Sequence, residues 1–499
     1  MQHSYHIFYF PFKWENRKMQ HKSFSGQTSL DELTFKKDSN WRRCPGPLNA
    51  EESDMLYNEM NYYYQFVHPV LYDNKEKESI LKHFERKETQ QEGHLVKYKI
   101  TTNEKTYTLK VDAINLNLYT TGVGMLSFFL INEQDDQKSP EDILKINQFG
   151  RRIFPPFIED VEIRSLLPQS ISIEGLQGND MLYFEDFAGY RERNHPKESY
   201  KKAWTPSSFI SNLITDLVSD IEVIPVIDDR MFVNCWYCND VLSNEIKDKE
   251  KYECFVMNGH EDFWFQYVFV DSGGATCKNE QMKKNLLEDQ TYSRWQEAGC
   301  LYGISRYSLV ALTDTSEFAN NVLAKHMRTM YSRMIELVLI QRASALNFSD
   351  EVARVNGLSK GKKGDKILIH QISDLHLEYI RFVNKICFEE VTTQDQGVEM
   401  YNLMLKVMNL DIYIKNLDDE IEELHHYLSS LDDRIRNKNS EMLNKIAAVF
   451  LPATLITGLF GMNGNDSISW LNSFGLQFII VVIVIILSCG GLMFFLKKK

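Results

Sequence analysis

The sequence predicts an α+β domain followed by a long stalk helix and two C-terminal membrane-spanning helices, and three observations carry that reading. Short β-rich runs alternate with helix-like segments over residues 1–315 and then cease. Apolar residues next recur at alternating spacings of three and four, from Val407 to Ile435. Two apolar stretches of about 21 residues each close the chain, long enough to cross a bilayer.

The β-rich runs are "LVKYKIT", "YTLKVDAINLNLY", "MLSFFLI" and "FWFQYVFVD", and the helix-like segments include "SPEDILKINQFGRRI" and "SSFISNLITDLVSDI". Residues 316–397 read as a helical hairpin, with helices over 317–355 and 366–390 around the basic, glycine-containing "NGLSKGKKGD". A single helix is then expected over 398–460, with no proline before Pro452. Its seam, Val407, Leu410, Ile414, Leu417, Ile421, Leu424, Leu428, Leu431 and Ile435, holds a heptad phase that ordinary surface helices rarely keep so long. This is the pattern of a coiled coil or bundle, and it offers a surface on which several copies could assemble.

The chain has 499 residues, a net charge of -13 and a mean hydropathy of -0.35, so most of it is soluble and large enough for more than one domain. Residues 1–45 lack a sustained apolar core and do not resemble a secretory signal, so the N-terminus is expected to stay where it is made. Eight scattered cysteines are too sparse for a disulfide framework and suit a reducing compartment. The acidic balance argues against nucleic acid and is compatible with cations.

The first apolar stretch is expected over 443–463, an outer loop over 464–475, the second stretch over 476–496 and a basic tail over 497–499, leaving 398–442 as the cytoplasmic stalk. Arg434, Arg436, Lys438 and Lys445 precede or open the first span and three lysines follow the second, whereas "GNDSISWLNS" carries no Lys or Arg. Both termini are therefore placed in the cytoplasm and the connection outside, with Trp470 as an interfacial anchor. The second span is nearly all aliphatic, as a lipid-facing helix would be. The first contains Pro452, Thr454, Thr457, Gly458, Gly461 and Asn463, which do little toward lipid but suit a water-facing surface.

Two spans cannot enclose a pore, so a water-facing first span requires an oligomer. Asn437, Ser440, Asn444, Ala447, Leu451, Thr454 and Gly458 lie on one line of the helix, about 200 degrees from the apolar seam. Extended toward the N-terminus, the line continues through Asp433, Ser430, His426, Glu423 and Asp419, acids that could concentrate cations along a funnel. A merely solvated helix face explains each of these five equally well.

The stretch "IAAVFLPATLITGLFGMN", with its proline, its Thr-x-x-x-Gly spacing and its terminal Gly-Met-Asn, resembles the first membrane helix of the CorA family of divalent-cation channels. The short loop, second span and lysine-rich tail that follow extend the resemblance. It implies a homopentameric, funnel-shaped channel in a membrane, expected to be a bacterial inner membrane, and no enzymatic activity. It further implies a selectivity filter of Gly461, Met462 and Asn463, with Asn463 offering amide oxygens to hydrated Mg2+. Thr454 and Gly458 would line the next layers, Leu451 an apolar constriction shared with Leu443 further in, and Asn437 the inner end. No cofactor is implied; Mg2+ is the expected substrate and regulator, with Co2+ or Ni2+ as further candidate ions. The family's outer Met-Pro-Glu element is missing, and Asp466 is the only acid in the loop.

Other patterns point elsewhere with less force. Cys235 and Cys238 in "CWYC", with Cys254 and His260, have zinc-site arithmetic but no turn glycine or proline, and read mostly as buried thiols. No phosphate-binding loop or nucleophile arrangement stands out. The alternatives to a passive channel are a zinc transporter of the same superfamily and a non-conducting, membrane-anchored coiled-coil sensor or scaffold.

Overall fold

The computed structural model describes residues 2–16, 30, 33–44, 54–74, 79–91, 93–154, 167–178, 180–187, 206–356 and 364–461, with single positions between 479 and 490. Thirteen strands form one sheet: β1 (Ser4–Asn16), β2 (Trp41–Arg43), β3 (Leu81–Arg86), β4 (Lys97–Thr101), β5 (Thr106–Tyr119), β6 (Val123–Asn132), β7 (Ser170–Glu174), β8 (Phe184–Asp186), β9 (Ile221–Pro225), β10 (Phe232–Cys238), β11 (Thr291–Tyr292), β12 (Leu301–Ile304) and β13 (Ser308–Thr313). The main path runs β11-β12-β13-β10-β1-β6-β5-β4-β7-β8, with β2 and β3 branching from β5 and β9 from β1. β10 and β13 pair in parallel, and β1 pairs antiparallel with β10, β6 and β9.

β1 organises the domain because both its faces are covered. Alternate side chains point to opposite sides of a strand. Phe8, Phe10, Phe12 and Trp14 enter a core shared with α1 (Pro140–Gly150), α2 (Ser208–Leu217) and α3 (Lys249–Phe269). The alternate set meets α4 (Met330–Asn356): Tyr9 Oη and Ser332 Oγ share a 2.7 Å hydrogen bond, and Lys13 Nζ lies 2.8 Å from Asp350. A strand buried on both faces reads as a nearly continuous apolar run, as "HIFYFPF" does. α1 starts on a capping box between Ser139 and Asp142, with Pro140 in its first turn.

The expected strand "FWFQYVFVD" is instead the end of α3. Phe263, Trp264, Phe265, Tyr267 and Val268 are all buried, so the helix has no solvated face there to give an amphipathic period, and its aromatic composition imitates a strand. The expected helix over 317–355 is also divided. Helical turns over 319–328 end at Thr329, whose φ of -111° and ψ of -87° separate them from α4, and whose hydroxyl donates to the Lys325 carbonyl at 2.7 Å.

α4 is stitched to the sheet by buried polar bonds. Asn347 Nδ2 donates to the Thr121 carbonyl at 3.0 Å, Thr121 and Ser344 hydroxyls meet at 2.8 Å, and Glu336 accepts from Tyr119 and Asn117. These bonds tie helix and sheet into one body. The chain divides into two compact units: residues 1–358 with 374–421, and residues 359–373 with 422–499. Three further helices follow α4: α5 (Gly364–Ile386), α6 (Asp395–Met408) and α7 (Leu410–Gly461).

The single helix expected from residue 398 is two. Asn409 adopts a left-handed conformation (φ 56°, ψ 35°) and caps α6, its backbone N–H returning to the Lys406 carbonyl at 3.0 Å, and α7 begins at the next residue. Asn is among the few residues that visit this region readily.

Candidate pore helix

α7 is a continuous helix of 52 residues that carries almost every sequence-predicted site residue. Its two faces differ sharply along the N-terminal half. Leu410, Leu417, Ile421, Leu424 and Leu431 are buried within the single chain, and Ile414, Leu428 and Ile435 are half-buried. Within the first unit the cover includes α5, where Tyr379 Oη donates to the Ile414 carbonyl at 3.2 Å. Leu417 and Ile421 are each 2% exposed, so this stretch of the seam packs within the chain and has little apolar surface left for a second copy.

The opposite line is bare throughout. Asp419, Glu423, His426, Ser430, Asp433, Asn437, Ser440, Asn444, Ala447, Leu451, Thr454 and Gly458 are all exposed. The predicted residues are thus brought together on one strip of one helix. Thr454 needs no outside partner, since its hydroxyl donates to the Leu451 carbonyl at 3.0 Å, the arrangement by which a hydroxyl survives in an apolar setting. Pro452 has no N–H to give, which removes the intrahelical donor of the Ala448 carbonyl.

Beyond Ile435 the burial ends on every described side. Met442, Leu443, Phe450 and Leu451 are 48%, 66%, 47% and 61% exposed, four large apolar side chains within ten residues. Contiguous exposed apolar side chains are typical of surfaces that meet lipid, another protein or a ligand. Residues 443–461 rise about 28 Å as helix, close to the hydrocarbon thickness of a bilayer. Among the described residues, no helix is long and apolar enough to cross a membrane. Many side chains after residue 448, and most of the expected second span over 476–496, lie outside those residues.

Gly461 is the last residue of α7. Met462, Asn463 and Asp466 fall outside the described residues, as does the expected outer loop. Among the described residues, no three His, Cys, Asp or Glu side chains are grouped to hold a metal ion. Charges flanking the strip are tied locally, Arg436 to Asp432 at 2.8 Å and Lys445 to Glu441 at 2.5 Å.

The zinc arithmetic does not close. Cys235 and Cys238 stand three apart on β10, which sends their side chains to opposite faces. Cys235 Sγ lies 3.4 Å from His6 Nδ1, Cys238 Sγ donates to the His3 carbonyl at 3.3 Å, Cys254 is exposed on α3, and His260 pairs with Glu245. Burial pushes the two strand thiols up to about 12 and about 11, the wrong direction for thiolate ligands.

Residues 313–498 match the model of the family described as "CorA-like Mg2+ transporter protein". This part of the chain is similar to the CorA family. It spans α4 to α7 together with the Gly-Met-Asn sequence, so the CorA match falls on the elements that build and follow the exposed strip. The description names Mg2+ transport, which supports divalent-cation transport in general. Among solved structures, the CorA magnesium transporter from Methanocaldococcus jannaschii is similar at 16% identity, over 40% of this chain and 70% of that one, with a TM-score of 0.19. No protein of curated function matches the chain.

Two features escaped the sequence reading. The intrachain burial of the seam is invisible to periodicity, which reports an apolar stripe but not what covers it. The break at Asn409 had a signal, an Asn inside the heptad run, that the unbroken apolar spacing outweighed.

Proposed function

We propose that the chain is one subunit of a homopentameric, passive channel that imports Mg2+, with Co2+ or Ni2+ as further permeant ions. The observation that carries this reading is the family match over residues 313–498 together with an exposed polar and small-residue strip on α7 that leads to Gly461-Met462-Asn463. Asn463 from five copies presents neutral amide oxygens to the water shell of the ion. This suits Mg2+, which releases its water reluctantly, better than a carboxylate ring that would hold it. Gly458, Thr454, Ala447, Asn444, Ser440 and Asn437 line the path inward, Leu451 and Leu443 narrow it, and Asp433, Glu423 and Asp419 attract cations in the funnel.

Residues 443–463 and 476–496 span the membrane with both termini cytoplasmic, a reading that the distribution of Lys and Arg supports. Cytoplasmic Mg2+ closes the channel by binding acidic surfaces between subunits, and its loss opens it. Since Leu417 and Ile421 of the heptad seam are already covered inside one chain, the subunits meet mainly through the bare part of α7. Rescue of a Mg2+-uptake-deficient host by wild-type protein, and its failure with Asn463→Ala at matched expression, tests the proposal. Equal rescue by both would remove Asn463 from the ion path, and rescue by neither would leave the scaffold reading standing.

A further inference from the structure

We infer that the first unit carries a binding pocket for a phosphoryl anion, built from Arg342 of α4 and Arg306 of the β12–β13 turn. A cavity of about 270 Å3 opens here between the sheet end and α4, lined by Asp228, Arg230, Arg306, Tyr307, Leu339 and Arg342, among others. Its three arginines and one aspartate leave an excess of two positive charges in a chain whose net charge is -13.

The guanidinium groups are not equally engaged. Arg230 is satisfied: it binds Asp228 at 2.8 Å and Asp229 at 3.2 Å, and lies over the Tyr307 ring at 5.0 Å. Arg306 donates through Nε to the Val407 carbonyl at 3.3 Å, which fixes its stem, and its side chain is exposed. Arg342 is the group without a counterpart. Its Nη1 is buried and finds no hydrogen-bond partner among the described residues. Native proteins seldom leave a buried charged donor unsatisfied unless something absent from the bare chain completes it.

Burial and the facing charge of Arg306 both hold the Arg342 guanidinium below its usual value. Two like charges therefore face one cavity with Asp228 already committed to Arg230. An oxyanion placed between Arg306 and Arg342 would satisfy the orphaned donor and cancel the repulsion. Guanidinium forks match phosphate oxygens in geometry, and a doubly charged phosphoryl group matches the excess charge. The phosphate chain of a nucleotide and free pyrophosphate share this chemistry. Arg306 also ties the pocket to the last turn of α6, two residues before the Asn409 break.

The test is calorimetric titration of the full-length protein with pyrophosphate, ATP, inorganic phosphate and sulfate, in magnesium-free buffer containing a chelator so that no metal effect enters. Saturable binding of pyrophosphate or ATP is expected, weakened about tenfold or more by Arg342→Gln and by Arg306→Gln, and unchanged by Arg381→Gln on α5. Tighter binding of ATP identifies a nucleotide, and equal or tighter binding of pyrophosphate identifies the free anion. Should Arg342→Gln fail to fold, the exposed Arg306→Gln decides alone. No saturable binding of any phosphoryl probe, equal binding of sulfate, or equal weakening by Arg381→Gln would overturn the inference. None of these outcomes depends on ion flux.

Discussion

The Tyr379 hydroxyl donates to the Ile414 carbonyl at 3.2 Å, joining α5 to α7 within the heptad seam. A backbone carbonyl inside a helix already accepts an intrahelical bond, so a second donor reaching it means the two helices are in direct contact there. Leu417 and Ile421, one and two turns on, are each 2% exposed. The seam thus acts within one chain. Leu417→Ala and Ile421→Ala are expected to lower stability by about 2–5 kcal/mol each, the range for truncating a buried aliphatic side chain. Thermal unfolding with parallel sizing checks this. Earlier melting with the assembly intact below the transition is expected, and dissociation without earlier melting would return the seam to the subunit interface.

Asn409 tests whether the α6–α7 break is built into the chain. At φ 56° a β-branched side chain is strained, whereas glycine is at ease. Asn409→Gly should be close to neutral, and Asn409→Val should cost about 1–2 kcal/mol. Chemical denaturation of the two variants side by side reads the difference. Equal stability would mean that the helix runs through this position in solution.

His6 gives the fold an acid sensitivity. It is fully buried on β1, within 2.8 Å of Ser4 Oγ and 2.7 Å of Asn147 Oδ1, and burial lowers its pKa to about 4. The unfolded chain, near 6.5, binds the proton more readily, so stability is complete above about pH 6.5 and falls as pH drops toward 4. The full loss is about 3 kcal/mol. Denaturant midpoints between pH 7 and 4 should fall less steeply in His6→Asn than in wild type. Parallel slopes would assign the acid sensitivity to other groups.

The buried thiols make a prediction about zinc. Purified protein should carry no stoichiometric zinc, and a thiol reagent should label exposed Cys254 well before Cys235 or Cys238, whose thiolates burial disfavours. Metal analysis with mass-spectrometric mapping checks both. One zinc per chain, lost on Cys235→Ser, would restore the metal reading.

How much was legible in the sequence depends on what each signal physically reports. The family resemblance was legible because "GMN" closes an apolar stretch of sequence with small and polar residues at fixed spacing, a pattern that can be read without knowledge of packing, and the family match over residues 313–498 covers it. Strands such as "YTLKVDAINLNLY" were readable from alternation and composition, and β5 covers that stretch. "FWFQYVFVD" was not, because a helix buried all round erases the periodicity that distinguishes it from a strand. The Arg306–Arg342 pocket was not either, since its two guanidinium groups are brought together by tertiary packing of a turn against α4.

Gly458 separates fold from conduction. Among the described residues, a Cβ added there meets nothing within 4 Å, so neither Gly458→Ala nor Gly458→Leu should harm the subunit, and alanine should favour the helix by about 1 kcal/mol. If five copies of the exposed strip converge on one axis, the added side chains meet each other instead. Gly458→Leu should then cut Mg2+ flux into proteoliposomes at least about tenfold, a loss equivalent to about 1.4 kcal/mol of barrier. Gly458→Ala should cost much less, because one methyl per subunit narrows the path without filling it. Melting curves recorded on the same preparations keep misfolding apart from blockage. Full flux through Gly458→Leu would turn this strip away from the pore and leave the ion path to another face of α7.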